Sequence, residues 1–184
     1  VKEFIRISET FAQEHVGSSV GDIRRSYNEM VKHFRQVRPP NVQVEDKKVA
    51  FKERSLIYRQ YSKGTDNKSD LIYFHGGGFV VGGLESHDDI CAEICESTGC
   101  NVFSLDYSLA PEVKYPEFFL DAIRFYYFIK NPERRLILVG DSAGGTLAGF
   151  VANKVRNVSI RPEAQVLIYP DLGGEISGAN KRRF

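Results

Sequence analysis

Arg135-Leu136-Ile137-Leu138-Val139-Gly140-Asp141-Ser142-Ala143-Gly144-Gly145 is the stretch that decides how the rest of the chain is read. Leu136 to Val139 form an unbroken apolar run, which suits a strand covered on both faces of its sheet. The run passes without a spacer into Gly140-Asp141-Ser142-Ala143-Gly144, the pattern G-x-S-x-G. Small residues follow, and 143–157 reads as a helix. A strand that turns straight into a helix forces unusual backbone angles, and flanking glycines remove the side chains that would clash. Ser142 would then stand at a helix N-terminus, where N–H groups and the dipole favour a developing negative charge. The pattern alone is weak: roughly one chain in twenty of this length carries it by chance. Its position between an apolar strand and a helix gives it weight. The bland alternative for Ser142 is a helix N-cap.

A second glycine-rich stretch lies upstream. Leu71-Ile72-Tyr73-Phe74 reads as another buried strand and runs into His75-Gly76-Gly77-Gly78. Consecutive glycines permit close backbone approach to a ligand. Acyl transfer needs N–H donors aimed at a tetrahedral oxygen, and such a loop supplies them. A phosphate-binding loop would need different spacing and a lysine, and neither is present. His75 lies inside the loop and is expected to brace it through hydrogen bonds rather than act as a base. His87 falls at a helix start and is expected at the surface, and His15 and His33 on the N-terminal helices are expected to be surface or satisfied residues.

Working outward, residues 1–16 and 20–37 read as helices. In the second, Ile23, Tyr27, Met30, Val31 and Phe34 recur at spacings of three and four. Ser19 or Asp22 caps its start, and Arg38-Pro39-Pro40 ends it. Then 42–51 and 55–62 read as strands joined by a charged turn. Further strands are expected at 101–107 and 164–171, with helices at 86–98 and 117–130. Apolar strands alternating with helices imply a parallel sheet with right-handed crossovers. The fold class is α/β in one domain. Residues 1–40 form an N-terminal helical segment and 41–184 the α/β core.

Net charge is +1 with no sustained basic block, so nothing suggests a nucleic-acid partner. No apolar run approaches the roughly 18 residues of a membrane span. The N-terminus lacks an apolar signal core, so no secretory signal is visible. An odd count of three cysteines with no disulfide framework fits a reducing cytoplasm. Cys91, Cys95 and Cys100 complete no ligand set with histidine, so they read as small buried hydrophobes. No metal or other cofactor is implied.

The two glycine motifs, in this order and separation, resemble the hormone-sensitive-lipase-like branch of the α/β-hydrolases, and bacterial acetyl esterases most of all. Asp106-Tyr107-Ser108-Leu109-Ala110-Pro111-Glu112, with Tyr115-Pro116, resembles that branch's segment after the fourth strand. The resemblance covers about residues 40 to 171. It implies an α/β-hydrolase fold: a mostly parallel sheet, helices on both faces and an N-terminal helical cap. It implies that Ser142 is the nucleophile and that Gly77, Gly78 and Ala143 donate backbone N–H groups to the oxyanion. His75, Gly76, Gly140, Asp141 and Gly144 shape the two turns. The implied activity is hydrolysis of short-chain carboxylic esters through an acyl-enzyme, without a cofactor.

The family's order is Ser, then Asp or Glu, then His. No histidine follows Ser142, and the acidic residues Glu163, Asp171 and Glu175 do not fit the family's acid. The last strands of the fold are also missing, which would leave 164–171 as an uncovered sheet edge. These residues are thus expected to be the N-terminal part of a longer esterase. A complementing C-terminal segment or a second copy would cover the edge. The alternatives are a non-catalytic ligand-binding module of the same fold and an inactive truncated fragment.

Overall fold

The computed structural model describes residues 2–13, 19–52, 54–64 and 68–173. The helices are α1 (Lys2–Gln13), α2 (Val20–Lys32), α3 (Asp88–Thr98), α4 (Glu117–Ile129) and α5 (Ala143–Lys154). The strands are β1 (Gln43–Ala50), β2 (Ser55–Ser62), β3 (Ser69–Phe74), β4 (Asn101–Asp106), β5 (Arg135–Asp141) and β6 (Ala164–Ile168). They form one six-stranded sheet in the order β1-β2-β4-β3-β5-β6. The sheet is mixed. β1 pairs antiparallel with β2, Gln43 opposite Ser62, and β2 pairs antiparallel with β4. β4, β3, β5 and β6 run parallel, as the buried apolar runs implied.

Alternation along the parallel strands feeds two cores. Ile72, Phe74, Leu105 and Leu138 join Phe125 of α4 and Leu147, Ala148 and Val151 of α5. Leu71, Tyr73, Val102 and Val139 turn to the other face and join Cys91, Ala92 and Cys95 of α3. Helices therefore cover both faces of the central strands. The three cysteines are buried and unpaired, filling space around α3. Truncating a core side chain such as Leu147, fully buried under α5, to alanine costs about 2–5 kcal/mol. Among the described residues β6 is an edge strand, with Val166 and Ile168 still 49% and 38% exposed.

Ser19 caps α2 with a reciprocal box: its hydroxyl accepts the Asp22 N–H, and Asp22 accepts the Ser19 N–H. The helix stops at Lys32, short of Arg38. Tertiary bonds draw the following segment away: the Gln36 N–H donates to Asp89 Oδ2 at 2.8 Å. Arg35 and Arg38 both reach Asp88. α3 begins at Asp88, two residues later than expected, and His87 at its start is buried rather than exposed. His15, Glu175 and the basic tail lie outside the described residues.

Asp88 is the charged centre of this corner. It is fully buried and takes Arg59 Nη1 at 2.9 Å, Arg35 Nη2 at 2.7 Å and Tyr61 Oη at 3.1 Å. Burial pushes its carboxyl up, but hydrogen bonds from Arg38, Arg35 and Arg59 outweigh that and hold it below the usual carboxylate value. Arg59 also grips Asp46 and Glu85, so β1, β2, α3 and the tail of α2 meet at one cluster. Removing one partner of a buried ion pair leaves its counter-charges unpaired. Asp88→Ala is therefore expected to destabilise the protein by about 3–5 kcal/mol, read by urea unfolding.

Candidate active site

β5 ends at Asp141 and α5 begins at Ala143, so Ser142 alone makes the turn between them. Its backbone sits at φ 51, ψ −120, a conformation that side-chain-bearing residues rarely adopt. Such strain costs about 1–3 kcal/mol and persists only where the surroundings impose it. They do so here from both sides. The Ser142 N–H donates to Ile168 O of β6 at 2.9 Å, and the Ser142 carbonyl accepts the Thr146 N–H at 3.0 Å. Ser142 occupies the N-cap position, but its hydroxyl makes no capping bond. A simple helix cap therefore does not account for this serine.

The glycines permit contacts that no other residue allows. A Cβ at Gly140 would stand 2.3 Å from the Gly144 carbonyl, and one at Gly144 would stand 1.9 Å from Phe74 O. The first turn of α5 thus lies directly on the end of β3, where the second glycine motif begins. In that motif Gly77 has φ 119, Gly78 φ 60 and Phe79 φ 62. The Gly77 carbonyl accepts N–H groups from Val80 and Val81 at 3.0 and 2.9 Å, closing a tight turn. Among the described residues, the N–H groups of Gly77, Gly78 and Ala143 make no hydrogen bond. They are unpaired donors on the glycine loop and at the start of α5.

One carboxylate joins the two motifs. Asp141 Oδ1 accepts the Gly76 N–H at 3.0 Å and the Tyr73 hydroxyl at 2.9 Å, and lies 3.4 Å from His87 Nε2. Its other oxygen sits where a Cβ at Gly76 would be, 2.1 Å away. Burial pushes this carboxyl up, while His87, Tyr73 and the Gly76 N–H more than offset that and hold it below the ordinary value. His75 braces the loop, as expected. Its Nδ1 lies 2.7 Å from Gly76 O, its ring stacks on Tyr107 at 4.2 Å, and Tyr107 Oη donates to the His75 carbonyl. Full burial pushes its pKa down to about 4, so the ring is neutral. Nδ1 then carries the hydrogen, and Nε2 has no partner among the described residues.

Sequence reasoning did not find Tyr73, His87 or Arg24. Arg24 of α2 donates to Val80 O at 2.7 Å, to Ala110 O at 2.8 Å and to both oxygens of Glu112. It fastens α2 to the far side of the glycine loop and to the segment after β4. The phenol pKa values of Tyr27 of α2 and Tyr169 after β6 are both raised, first by burial and then by the Asp141 charge. Among the described residues, no group of three His, Cys, Asp or Glu converges to hold a metal. None of the described helices is long and apolar enough to cross a membrane.

Residues 71–183 match the family model for the alpha/beta hydrolase fold. An ethyl acetate hydrolase of Pseudomonas putida is 38% identical over 109 residues, 54% of this chain and 34% of the relative. An acetyl esterase of Salmonella typhi is 30% identical over 175 residues, 89% of this chain and 54% of the relative. The hyperthermophilic esterase of Pyrobaculum calidifontis superposes with a TM-score of 0.82 at 29% identity, covering 94% of this chain and 59% of that one. The chain thus spans between a third and about three-fifths of the proteins it resembles.

The neutral His75 has a measurable consequence. The unfolded chain takes up this proton near pH 6.5 and the folded chain only near pH 4. The stability it contributes is complete above about pH 6.5 and falls by about 3 kcal/mol on acidification to about pH 4. In NMR, the His75 ring C–H resonance is expected not to titrate between about pH 8 and pH 5. Loss of that flat resonance in His75→Asn assigns it.

Proposed function

The chain belongs to the α/β hydrolase fold family, and from that premise we propose that it carries the nucleophile, Ser142, and the oxyanion site of a serine carboxylic ester hydrolase. The carrying observation is the backbone of Ser142, held at φ 51 with its hydroxyl making no capping bond. A strained serine between an apolar strand and a helix is the geometry that presents an attacking oxygen.

The chemistry runs through Ser142 Oγ. It attacks the ester carbonyl carbon while a general base removes its proton. The carbonyl oxygen becomes an oxyanion and receives N–H donors from Gly77, Gly78 and Ala143, which need no reorganisation because the loop is already bent. The α5 dipole adds to this stabilisation. Collapse expels the alcohol, which takes a proton from the protonated base, and leaves an acyl-Ser142. Water activated by the same base then releases the acid. Removing a single oxyanion donor typically costs about 10²–10³ in rate.

The base and its acidic partner come, on this reading, from sequence outside these residues. His75 is tied to Gly76 O, and His87 is held between Ser86 and Asp141. The names of the relatives, acetyl esterase and ethyl acetate hydrolase, support short acyl groups as substrates. Residues 1–40 serve as the helical cap segment, a role supported by the Arg24 tie between α2 and the glycine loop. The exposed edge at Val166 and Ile168 is covered by a complementing C-terminal segment or a second copy.

In protein that includes any flanking sequence of the natural polypeptide, a fluorophosphonate is expected to label Ser142 alone, mapped by peptide mass. Ser142→Ala should abolish labelling and lower hydrolysis of a short acyl ester by roughly 10⁴-fold or more. The 184-residue chain should label far more slowly. A folded full-length protein that does not label would reject the esterase reading in favour of a non-catalytic ligand-binding module.

A further inference from the structure

The glycine loop is tied at both ends to side chains that take no part in the chemistry described above. At its start, the Gly76 N–H is held by Asp141 Oδ1. At its far end, the Gly83 N–H donates to Ser86 Oγ at 3.0 Å. The same hydroxyl oxygen lies 3.0 Å from Gly83 O and 2.8 Å from His87 Nδ1. Across the ring, His87 Nε2 lies 3.4 Å from Asp141 Oδ1. Gly83, Ser86, His87, Asp141 and Gly76 thus form a closed path around the loop. Ser86 and His87 are only 6% and 5% exposed, so water does not substitute freely for these contacts.

Counting hydrogens shows what the imidazole does there. Ser86 has one hydroxyl hydrogen and two acceptors in reach, Gly83 O and an unprotonated His87 Nδ1. In the neutral ring, only the tautomer with hydrogen on Nε2 turns an N–H toward the Asp141 carboxylate. Nδ1 then accepts from Ser86. A ring with hydrogen on Nδ1 alone would face a bare lone pair toward the carboxylate. His75 and Tyr73 flank this ring, at centroid distances of 5.6 and 6.0 Å.

We propose that Ser86 and His87 are positioning residues which, with Asp141, strap both ends of the glycine loop to the turn that carries Ser142. This rests on the reading of Ser142 and the loop amides as acyl-transfer groups. The loop needs such a strap because three consecutive residues, Gly77, Gly78 and Phe79, hold positive φ, and among the described residues the Gly77 and Gly78 N–H groups are unpaired. Left alone, the segment would relax, and misplacement of a reacting group by about 1 Å costs roughly 10²-fold in rate. Asp141 directly precedes the nucleophile, so one carboxylate sets the loop against the serine. His87 adds the second tie, from the opposite end.

The test compares His87→Leu, His87→Gln and Ser86→Ala with the wild-type protein. Gln retains an N–H donor near the Nε2 position, and Leu retains only bulk. Two rates are read: amide hydrogen exchange across residues 76–83, and fluorophosphonate labelling of Ser142. In His87→Leu, exchange is expected to quicken about tenfold or more and labelling to slow by about 10–100-fold. His87→Gln should recover most of both, and Ser86→Ala should quicken exchange at the Gly83 end. A His87→Leu protein with a lower melting temperature but wild-type loop exchange would overturn the proposal. If His87→Leu does not fold, unchanged exchange at Gly83 in Ser86→Ala overturns it equally. If the wild type itself fails to label, the esterase reading falls, and the exchange comparison still decides the strap.

Discussion

The first turn of α5 lies so close to the last carbonyls of β3 that a Cβ at Gly144 would stand 1.9 Å from Phe74 O. Most of the site follows from that approach. It requires glycine at 140 and 144, and it sets the start of the His75-Gly76-Gly77-Gly78 loop beside the start of the helix. It also leaves Ser142 as the one residue available to turn the chain, at a positive φ. The strain at Ser142 is a consequence of close packing between strand and helix. The neighbouring strand β6 holds it in place through the Ile168 carbonyl.

Two carboxylates, Asp88 fully buried and Asp141 largely so, then fix what surrounds this contact. Asp141 bonds to the Gly76 N–H and to Tyr73, linking β5, β3 and the glycine loop at a point adjacent to the serine. Asp88 gathers Arg35, Arg38 and Arg59, linking the tail of α2 to β2 and α3. Both are held ionised by donors that outweigh the cost of burial. Between them, Arg24 fastens the middle of α2 over Val80 and Ala110. The N-terminal helix is therefore registered to the same loop that offers free N–H donors.

The sequence was most informative where one local signal sufficed. The apolar run Leu136–Val139 before Gly140 located β5 and the turn, and Ser19 with Asp22 located the start of α2. The apolar residues within 164–171 marked β6, which stops at Ile168 before the positive φ of Tyr169, and among the described residues its edge is exposed. Legibility ended where a distant partner decides the outcome. α2 was expected to run toward Arg38, but Asp89, far along the chain, takes the Gln36 N–H and ends the helix early. His87, followed by Asp88 and Asp89, resembles an exposed helix start. It is buried because Asp141 and Ser86 meet both of its nitrogens. Asp88 itself reads as an ordinary acidic first-turn residue, and only the convergence of three arginines reveals it as the centre of a buried cluster. Free N–H groups at Gly77 and Gly78 were legible as a possibility of the glycine run, and their lack of partners among the described residues became visible only with the loop folded.

The most direct test of the account is a crystal structure of the phosphonate adduct at Ser142. The phosphoryl oxygen stands in for the oxyanion of the tetrahedral intermediate. The account places that oxygen about 2.7–3.1 Å from the amide nitrogens of Gly77, Gly78 and Ala143. An adduct whose oxygen points to solvent, or accepts from other groups while those three amides stay unpaired, would contradict it.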